Sequence, residues 1–187
     1  MMVNARKRVE ALLRLRRRAR GMAWTFWIRA WGGTVGRRLE VDRGAVLRHP
    51  PGRGMRIGDD VYVGVGTVLD VHPGAELHIG SRTKIMQYVV IASSLSVKIG
   101  DKTQIAEFTS VRDADHGISL EAPMQDQIVS SPVVIGSDVW LARSVAILRG
   151  VVIEDGVVVG ANAVVRDRVA AHSIAVGVPA RVIRVRT

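Results

Sequence analysis

The sequence has no cysteine, few aromatic residues and no long hydrophobic run. Without cysteine, the chain has no disulfides, no thiolate metal ligands and no cysteine nucleophile. Because aromatic residues make up only 4% of the chain, a core must be filled by aliphatic side chains. No apolar segment approaches the roughly 20 residues of a transmembrane helix. The basic N-terminus also lacks a clear signal-peptide pattern, so we expect a cytoplasmic protein.

Positive charge is concentrated at the N-terminal end. Residues 1–38 contain eleven Lys or Arg and a single acid, Glu10, whereas residues 39–187 contain sixteen basic and sixteen acidic residues. The sequence thus divides into a basic arm, 1–38, and a body, 39–187, with no net charge. A neutral body does not indicate a nucleic-acid-binding face.

Aliphatic residues recur at every sixth position of the body, which is rich in valine, isoleucine and leucine (31, 14 and 11 in the chain). The hexads open with Ile57, Val63, Leu69; Ile79, Ile85, Ile91; Ile99, Ile105, Val111; and Ile135, Leu141, Ile147, Ile153, Val159, Val165. A period of six fits neither an α-helix nor an amphipathic strand. It is typical of a hexapeptide parallel β-helix, in which three hexads close one coil.

We therefore predict about five or six coils over 40–112 and 133–178, with the leading aliphatic residues stacked inside. The alternative is a β-sandwich with chance spacing. A sandwich requires turn signals every 8–12 residues, but the last register runs from Ile135 to Val165 without such a break.

Residues 113–134 lack the hexad pattern, yet Val111 and Ile135 are 24 residues apart, a multiple of six. We therefore predict a loop extruded from one corner of the β-helix, and such loops are often functional. His116 lies at its base. A neutral imidazole there would remove a proton from an alcohol or amine that attacks a thioester, and Asp113 or Asp115 would orient the ring or raise its basicity.

On spacing alone, a surface histidine beside solvated acids is an equal alternative. The other histidines show no metal-ligand spacing and are predicted at the surface or at corners: His49, His72, His78 and His172.

Two segments resemble a known family, the hexapeptide-repeat acetyltransferases. The first, 135–162, contains Val139-Trp140 and Gly160-Ala161-Asn162, and the second is the closing run 175–184 with Gly177-Val178-Pro179-Ala180-Arg181. The closing run is similar to that of the sugar O-acetyltransferase branch, which includes galactoside, maltose and nodulation-factor acetyltransferases. Asp-x-Asp-His at 113–116 is similar to the subgroup that acetylates cell-surface polysaccharides.

The resemblance covers residues 57–186 and implies an all-β fold, a left-handed parallel β-helix, with a helical arm before it and a tail at 178–187. It implies a homotrimer with three sites between subunits, acetyl-CoA or another acyl-CoA as donor, no metal, and His116 as general base. The residues that it assigns to the donor are Trp140, Ala142, Arg143, Ala161, Arg166, Arg181 and Arg184. A main-chain N–H near Ala142 or Arg143 would stabilise the oxyanion.

Some positions depart from the family pattern. Arg166-Asp167 stands where relatives have Thr-Lys, and Arg143 stands where they often have serine. Met86 stands where the galactoside and maltose enzymes have an acceptor-binding asparagine. The acceptor candidates are Met86, Gln87, Tyr88, Asp113 and Asp115.

The arm is predicted to be helical over residues 4–31. Basic residues, among them Arg6 and Lys7, occupy its first part, and Trp24, Trp27 and Trp31 follow. One hypothesis places residues 1–31 on the inner face of the membrane, since basic residues attract anionic lipid and tryptophan suits the headgroup boundary. The alternative is a helix that packs on the end of the β-helix or on a neighbouring subunit.

The expected function is O-acetylation of a sugar hydroxyl, on a cell-surface polysaccharide or a lipid-linked glycan. N-acetylation of an amino sugar is a close variant. A γ-type carbonic anhydrase, which needs three histidines around zinc, and a non-catalytic scaffold are the alternatives from other classes.

Overall fold

The computed structural model describes residues 2–187, with side chains from residue 8 onwards, so the side chains of Arg6 and Lys7 lie outside the described part. One α-helix, α1, spans Met2–Ala30. It contains many strong helix formers such as Arg, Ala and Leu, and it ends before Gly32, which has φ +86°, a conformation that favours glycine. No helix in this described range is long and apolar enough to cross a membrane.

Short strands make up most of the remaining chain, together with one 3₁₀ turn at Met124–Asp126. In chain order the strands are β1 Thr34–Val35, β2 Glu40–Val41, β3 Val46–Leu47, β4 Met55–Ile57, β5 Tyr62–Val63, β6 Val68–Val71, β7 Glu76–Ile79, β8 Lys84–Ile85, β9 Val90–Ser93, β10 Ser96–Ile99, β11 Gln104–Ile105, β12 Ser110–Arg112, β13 Ala114–His116, β14 Ile128–Ser130, β15 Val133–Ile135, β16 Trp140–Leu141, β17 Ala146–Ile147, β18 Val152–Ile153, β19 Val158–Val159, β20 Val164–Val165, β21 Ser173–Val176 and β22 Arg181–Val185.

All of these strands except β13 and β14 form three long sheets, and the chain passes through the sheets in turn. Sheet A has the order β1-β4-β7-β10-β15-β18, sheet B the order β2-β5-β8-β11-β16-β19-β21-β22, and sheet C the order β3-β6-β9-β12-β17-β20. Neighbouring strands are parallel, except that β22 runs antiparallel to β21. The predicted parallel β-helix is confirmed, and the β-sandwich alternative is excluded.

The leading aliphatic residues of the hexads are buried and stacked on one another. In sheet A, for example, Ile57 pairs with Ile79, Ile79 with Ile99, and Ile99 with Ile135. Each of these side chains is at most 4% exposed. Full burial of such a side chain stabilises the fold by about 1.5–3 kcal/mol, so the repeated stack is the main source of stability.

Two corners of the triangular coil matter for the site. Corner BC denotes the turns between a sheet B strand and the next sheet C strand, and corner CA the turns between a sheet C strand and the next sheet A strand. Successive turns of corner BC place Tyr88, Phe108, Ser144 and Asn162 at positive φ, between 56° and 60°. Equivalent residues of different coils therefore stack in one column.

The segment after β12 leaves the β-helix at corner CA as a hairpin. In it, β13 pairs antiparallel with β14, with Asp115 opposite Val129. At its base the N–H of Ser131 donates to the carbonyl of Asp113 over 2.8 Å. The chain then rejoins sheet A in register, since Lys98 pairs with Val134. The extruded loop predicted for 113–134 is therefore a hairpin built on a continuous solenoid.

Helix α1 packs on the first coil of the β-helix. Ile28 is fully buried in the core, and Gly21 lies so close to the first coil that a Cβ atom there would be 1.9 Å from the carbonyl oxygen of Leu39. Three arginines, Arg14, Arg17 and Arg18, surround Glu40. Partial burial raises the pKa of Glu40, but the hydrogen bonds from these arginines outweigh it, so the net pKa is lowered. The arm thus packs on the end of the β-helix and caps its first coil, as the second alternative in the sequence analysis predicted.

Candidate active site

His116 stands at the end of β13 with its imidazole exposed. Its Nδ1 lies 2.9 Å from the main-chain carbonyl oxygen of Met124, on the opposite side of the hairpin. A carbonyl oxygen only accepts hydrogen bonds, so Nδ1 must carry the proton in this contact. Of the two neutral tautomers, this contact therefore selects the one in which Nε2 keeps its lone pair, the form that a general base requires.

A cavity of about 590 Å³ lies at corner CA beside this imidazole. The hairpin forms one wall through His116, Asp115 and Ile128, and the neighbouring coils contribute Ser94 and His72. Its volume falls in the range of small-molecule sites. The imidazole thus lines a cavity that is large enough for an acceptor group.

The two aspartates next to His116 have other partners. Asp113 is fully buried, and its carboxylate accepts hydrogen bonds from the N–H groups of residues 94, 95 and 96, at 2.7, 2.8 and 2.6 Å, and from the hydroxyl of Ser93. Asp115 forms an exposed ion pair with Arg149 at 3.0 Å. The structure differs here from the expected orientation of the ring by an aspartate, because the carbonyl of Met124 takes that role.

The residues assigned to the donor at Ala142, Arg143 and Ala161 lie on corner BC. The N–H of Asn162 donates to the carbonyl of Arg143 over 2.9 Å, which stacks the two coils. The N–H of Ala142 is used within the β-helix, where it donates to Val159. Of the two expected oxyanion donors, Arg143 is therefore the one left as a candidate.

The acceptor candidates Met86, Gln87 and Tyr88 lie on the same corner BC, two coils earlier. Tyr88 stacks on Phe108 with ring centroids 5.4 Å apart, and the guanidinium of Arg143 lies 5.5 Å above the Phe108 ring. Trp140, in β16 of sheet B, is half exposed next to this corner. Within one chain, these residues form one column that is separate from His116 on corner CA.

Two of the arginines assigned to the donor, Arg166 and Arg181, form ion pairs with the same acid. Asp167 is in contact with Arg166 at 3.4 Å and with Arg181 at 3.2 Å, and all three side chains are more than half exposed. Arg184 is exposed on β22, opposite Ile174. Although Arg166-Asp167 replaces Thr-Lys, Arg166, Arg181 and Arg184 are therefore exposed basic groups at this end of the β-helix.

Sequence reasoning missed a cluster at corner CA made of His49, Asp70 and His72. Their ligand atoms all lie within 4.8 Å of one another. The predicted surface or corner positions of His49 and His72 are confirmed, but spacing along the chain did not reveal that the fold brings both histidines next to Asp70. The signal was the coil length: Val46 pairs with Val68, 22 residues later, which brings residue 49 next to residues 70–72.

Comparison with known proteins identifies the class. The pattern of the bacterial transferase hexapeptide family (six repeats) matches residues 132–167. WbbJ of Escherichia coli K12, described as a lipopolysaccharide biosynthesis O-acetyl transferase, is 36% identical over 139 residues, covering 70% of this chain and 71% of its own. The chain therefore belongs to the hexapeptide-repeat transferases and is an enzyme of that class, which confirms the resemblance found in the sequence.

The chain is also similar to a second protein by sequence and to a solved structure by fold. A protein of Mycobacterium tuberculosis H37Rv, described as an acetyltransferase, is 37% identical over 134 residues, which cover 71% of this chain but only 44% of the relative. The solved structure of a point mutant of AntD, an N-acyltransferase of Bacillus cereus, contains dTDP and coenzyme A. It superimposes with a TM-score of 0.71 at 25% identity, covering 82% of this chain and 84% of AntD.

Proposed function

We propose that this protein transfers an acetyl group from acetyl-CoA to a sugar hydroxyl of a cell-surface polysaccharide or lipid-linked glycan. The observation that carries the proposal is the imidazole of His116, which the carbonyl of Met124 orients through Nδ1 and which lines a cavity of about 590 Å³. The similarity to WbbJ supports an oxygen acceptor on a glycan.

The proposed reaction needs no covalent enzyme intermediate. Nε2 of His116 takes the proton of the acceptor hydroxyl while the oxygen attacks the thioester carbonyl. The tetrahedral oxyanion, held by the N–H of Arg143, then collapses, and the carbon–sulfur bond breaks. The departing thiolate takes the proton from the imidazolium, which leaves an acetyl ester and free CoA thiol.

We further propose that the active unit is a homotrimer. His116 lies on corner CA, whereas the donor candidates Arg143 and Ala161 lie on corner BC, on the other side of sheet C. A complete site requires both sets, and a three-fold arrangement of parallel solenoids would bring corner BC of one chain to corner CA of the next. An active sample whose mass in light scattering is that of one 20.3 kDa chain would refute the shared site.

N-acylation of an amino sugar is the second candidate, because AntD is an N-acyltransferase and its structure contains a dTDP nucleotide. The same general base would serve an amine as well as a hydroxyl.

The direct test measures the CoA thiol released from acetyl-CoA in the presence of two acceptor panels. One panel holds bacterial lipopolysaccharide and capsule oligosaccharides with free hydroxyls, and the other holds dTDP-linked amino sugars. We expect acceptor-dependent release with the hydroxyl panel. Release with the amino sugars alone would establish N-acylation instead, and no release with either panel would refute the proposed function.

We also propose that α1 attaches the enzyme to the cytoplasmic face of the inner membrane. The helix face turned away from the β-helix carries four exposed apolar side chains at helical spacing: Leu12, Leu15, Met22 and Phe26. On the helical wheel, Arg16 borders this stripe on one side, and Arg18, which also contacts Glu40, borders it on the other. An apolar stripe with basic borders is typical of helices that lie in the plane of an anionic membrane.

The double variant Met22→Ser/Phe26→Ser is expected to lose most binding to phosphatidylglycerol vesicles, about tenfold or more, since it removes two apolar anchors. Flotation of the full-length chain measures this. The matched control is Ile118→Ser/Leu120→Ser on the hairpin, where both side chains are also exposed. Equal flotation of the helix variant and the control would refute membrane attachment through this stripe.

A further inference from the structure

We propose that His49, Asp70 and His72 form a binding site for a divalent cation of the zinc type at the edge of the cavity that His116 lines. This inference goes beyond the proposed acetyl transfer, whose steps use His116 and need no metal. It also replaces, for this chain, the expectation of no metal that came from the family resemblance.

The geometry of the three side chains is close to that of a coordinated ion. Nε2 of His49 lies 3.2 Å from Oδ1 of Asp70, and the rings of His49 and His72 have centroids 4.9 Å apart. Zinc binds imidazole nitrogen and carboxylate oxygen at about 2.0–2.2 Å, so two ligands of one ion lie a little over 3 Å apart. The three ligand atoms lie within 4.8 Å of one another, so the widest pair would close by about 1.5 Å when an ion binds.

Asp70 provides a second, independent indication. Its side chain is only 14% exposed, and its Oδ1 is buried without a hydrogen-bond partner among the described residues. The nearby His49 contacts this oxygen outside hydrogen-bond geometry. A buried carboxylate oxygen without a donor is unfavourable, and a bound cation would satisfy it.

The fold holds these ligands on adjacent coils of one rigid column. The N–H of Arg48 donates to the carbonyl of Leu69, and the N–H of His72 donates to the carbonyl of Ser93. The main chain on both sides of the cluster is therefore fixed by the ladder of sheet C. Arg48 also approaches Asp70, at 3.5 Å, but its side chain is mostly exposed and can turn away.

The open side of the cluster faces the cavity. Asp70 and His72 both line it, as His116 does. Three protein ligands leave at least one coordination position of zinc for water or a substrate oxygen. The site would therefore hold a hydroxyl or anionic oxygen of the acceptor, a positioning role next to the base.

The test is a titration of chelator-treated full-length protein with Zn²⁺ by calorimetry, with Co²⁺ absorption as a second readout. We expect about one ion per chain, and an affinity weakened at least about tenfold in His72→Ala and Asp70→Asn. His72 is exposed, so its variant should fold normally. The control is His172→Asn at another corner, which should bind like the wild type.

Absence of binding by the wild type would overturn the inference, and so would equal binding by His72→Ala and the wild type. Because the readout is metal stoichiometry, this result is independent of the assay of CoA release. A protein that binds zinc but transfers no acetyl group would refute the proposed function alone.

Discussion

His116→Ala should lower the rate of acetyl transfer by about 10²–10⁴-fold, the usual contribution of a general base. The imidazole is exposed and its one hydrogen bond goes to the carbonyl of Met124, so its removal should leave the melting temperature nearly unchanged. The KM for acetyl-CoA should also change little, because in the proposed site Arg143 and Ala161 of the neighbouring chain contact the donor, whereas His116 acts on the acceptor hydroxyl. Steady-state release of CoA thiol, measured with the acceptor found by screening, gives these values.

The matched control is again His172→Asn, which changes an exposed histidine far from the hairpin along the chain. A His116→Ala variant with wild-type kcat would show that this residue is not the base. His116 would then be a surface histidine without a catalytic role. A variant that loses only affinity for the donor would instead place His116 in donor binding.

Asp113→Ala should cause the largest loss of stability at this site, with little direct effect on chemistry. The substitution leaves three main-chain N–H groups, at residues 94–96, without the carboxylate that accepts from them at 2.6–2.8 Å. We expect a loss of about 3 kcal/mol in the free energy of unfolding. For a chain of this size, that lowers the melting temperature by about 6–12 °C.

Asp115→Ala is the natural comparison, since Asp115 lies two residues away and forms an exposed ion pair with Arg149. Loss of such a pair costs less than about 1 kcal/mol. Thermal unfolding of both variants, followed by circular dichroism, separates a buried anchor from a surface charge. Equal melting temperatures for the two variants would show that the hydrogen bonds of Asp113 are not needed to hold the hairpin.

Together, these two experiments distinguish a residue that acts in proton transfer from one that stabilises the hairpin, within residues 113–116. His116 would carry the proton transfer, and Asp113 would fix the base of the hairpin that presents it. An alanine scan of residues 113–116 that measures activity alone would not distinguish the two roles, because an unstable hairpin also lowers the rate.

The six-residue spacing predicted the architecture well, for a local reason. Buried positions such as Ile135, Leu141 and Ile147 are six residues apart. The pattern of the core can therefore be recognised within a short stretch of sequence. The interruption at 113–134 was visible for the same reason, since the pattern stops and returns in register. The position of His116 on that segment could therefore also be predicted from the sequence.

The sequence did not predict the hydrogen-bond partners of the polar side chains. The sequence suggested that Asp113 or Asp115 serves His116. The carboxylate of Asp113 instead turns inward to residues 93–96 of the previous coil, and Asp115 pairs with Arg149. Met124, whose carbonyl fixes the imidazole, carried no sequence signal because any residue offers a carbonyl group.

The sequence by itself determined the parallel β-helix, the extruded segment and the histidine on it, because hydrophobic burial follows a period that consecutive residues reveal. Only the tertiary structure decided which side chains meet. It joined His49 to Asp70 and His72, and it placed the donor candidates and His116 on different corners. Those contacts depend on how many residues each corner takes up, so they connect positions about 20 residues apart that no local pattern links.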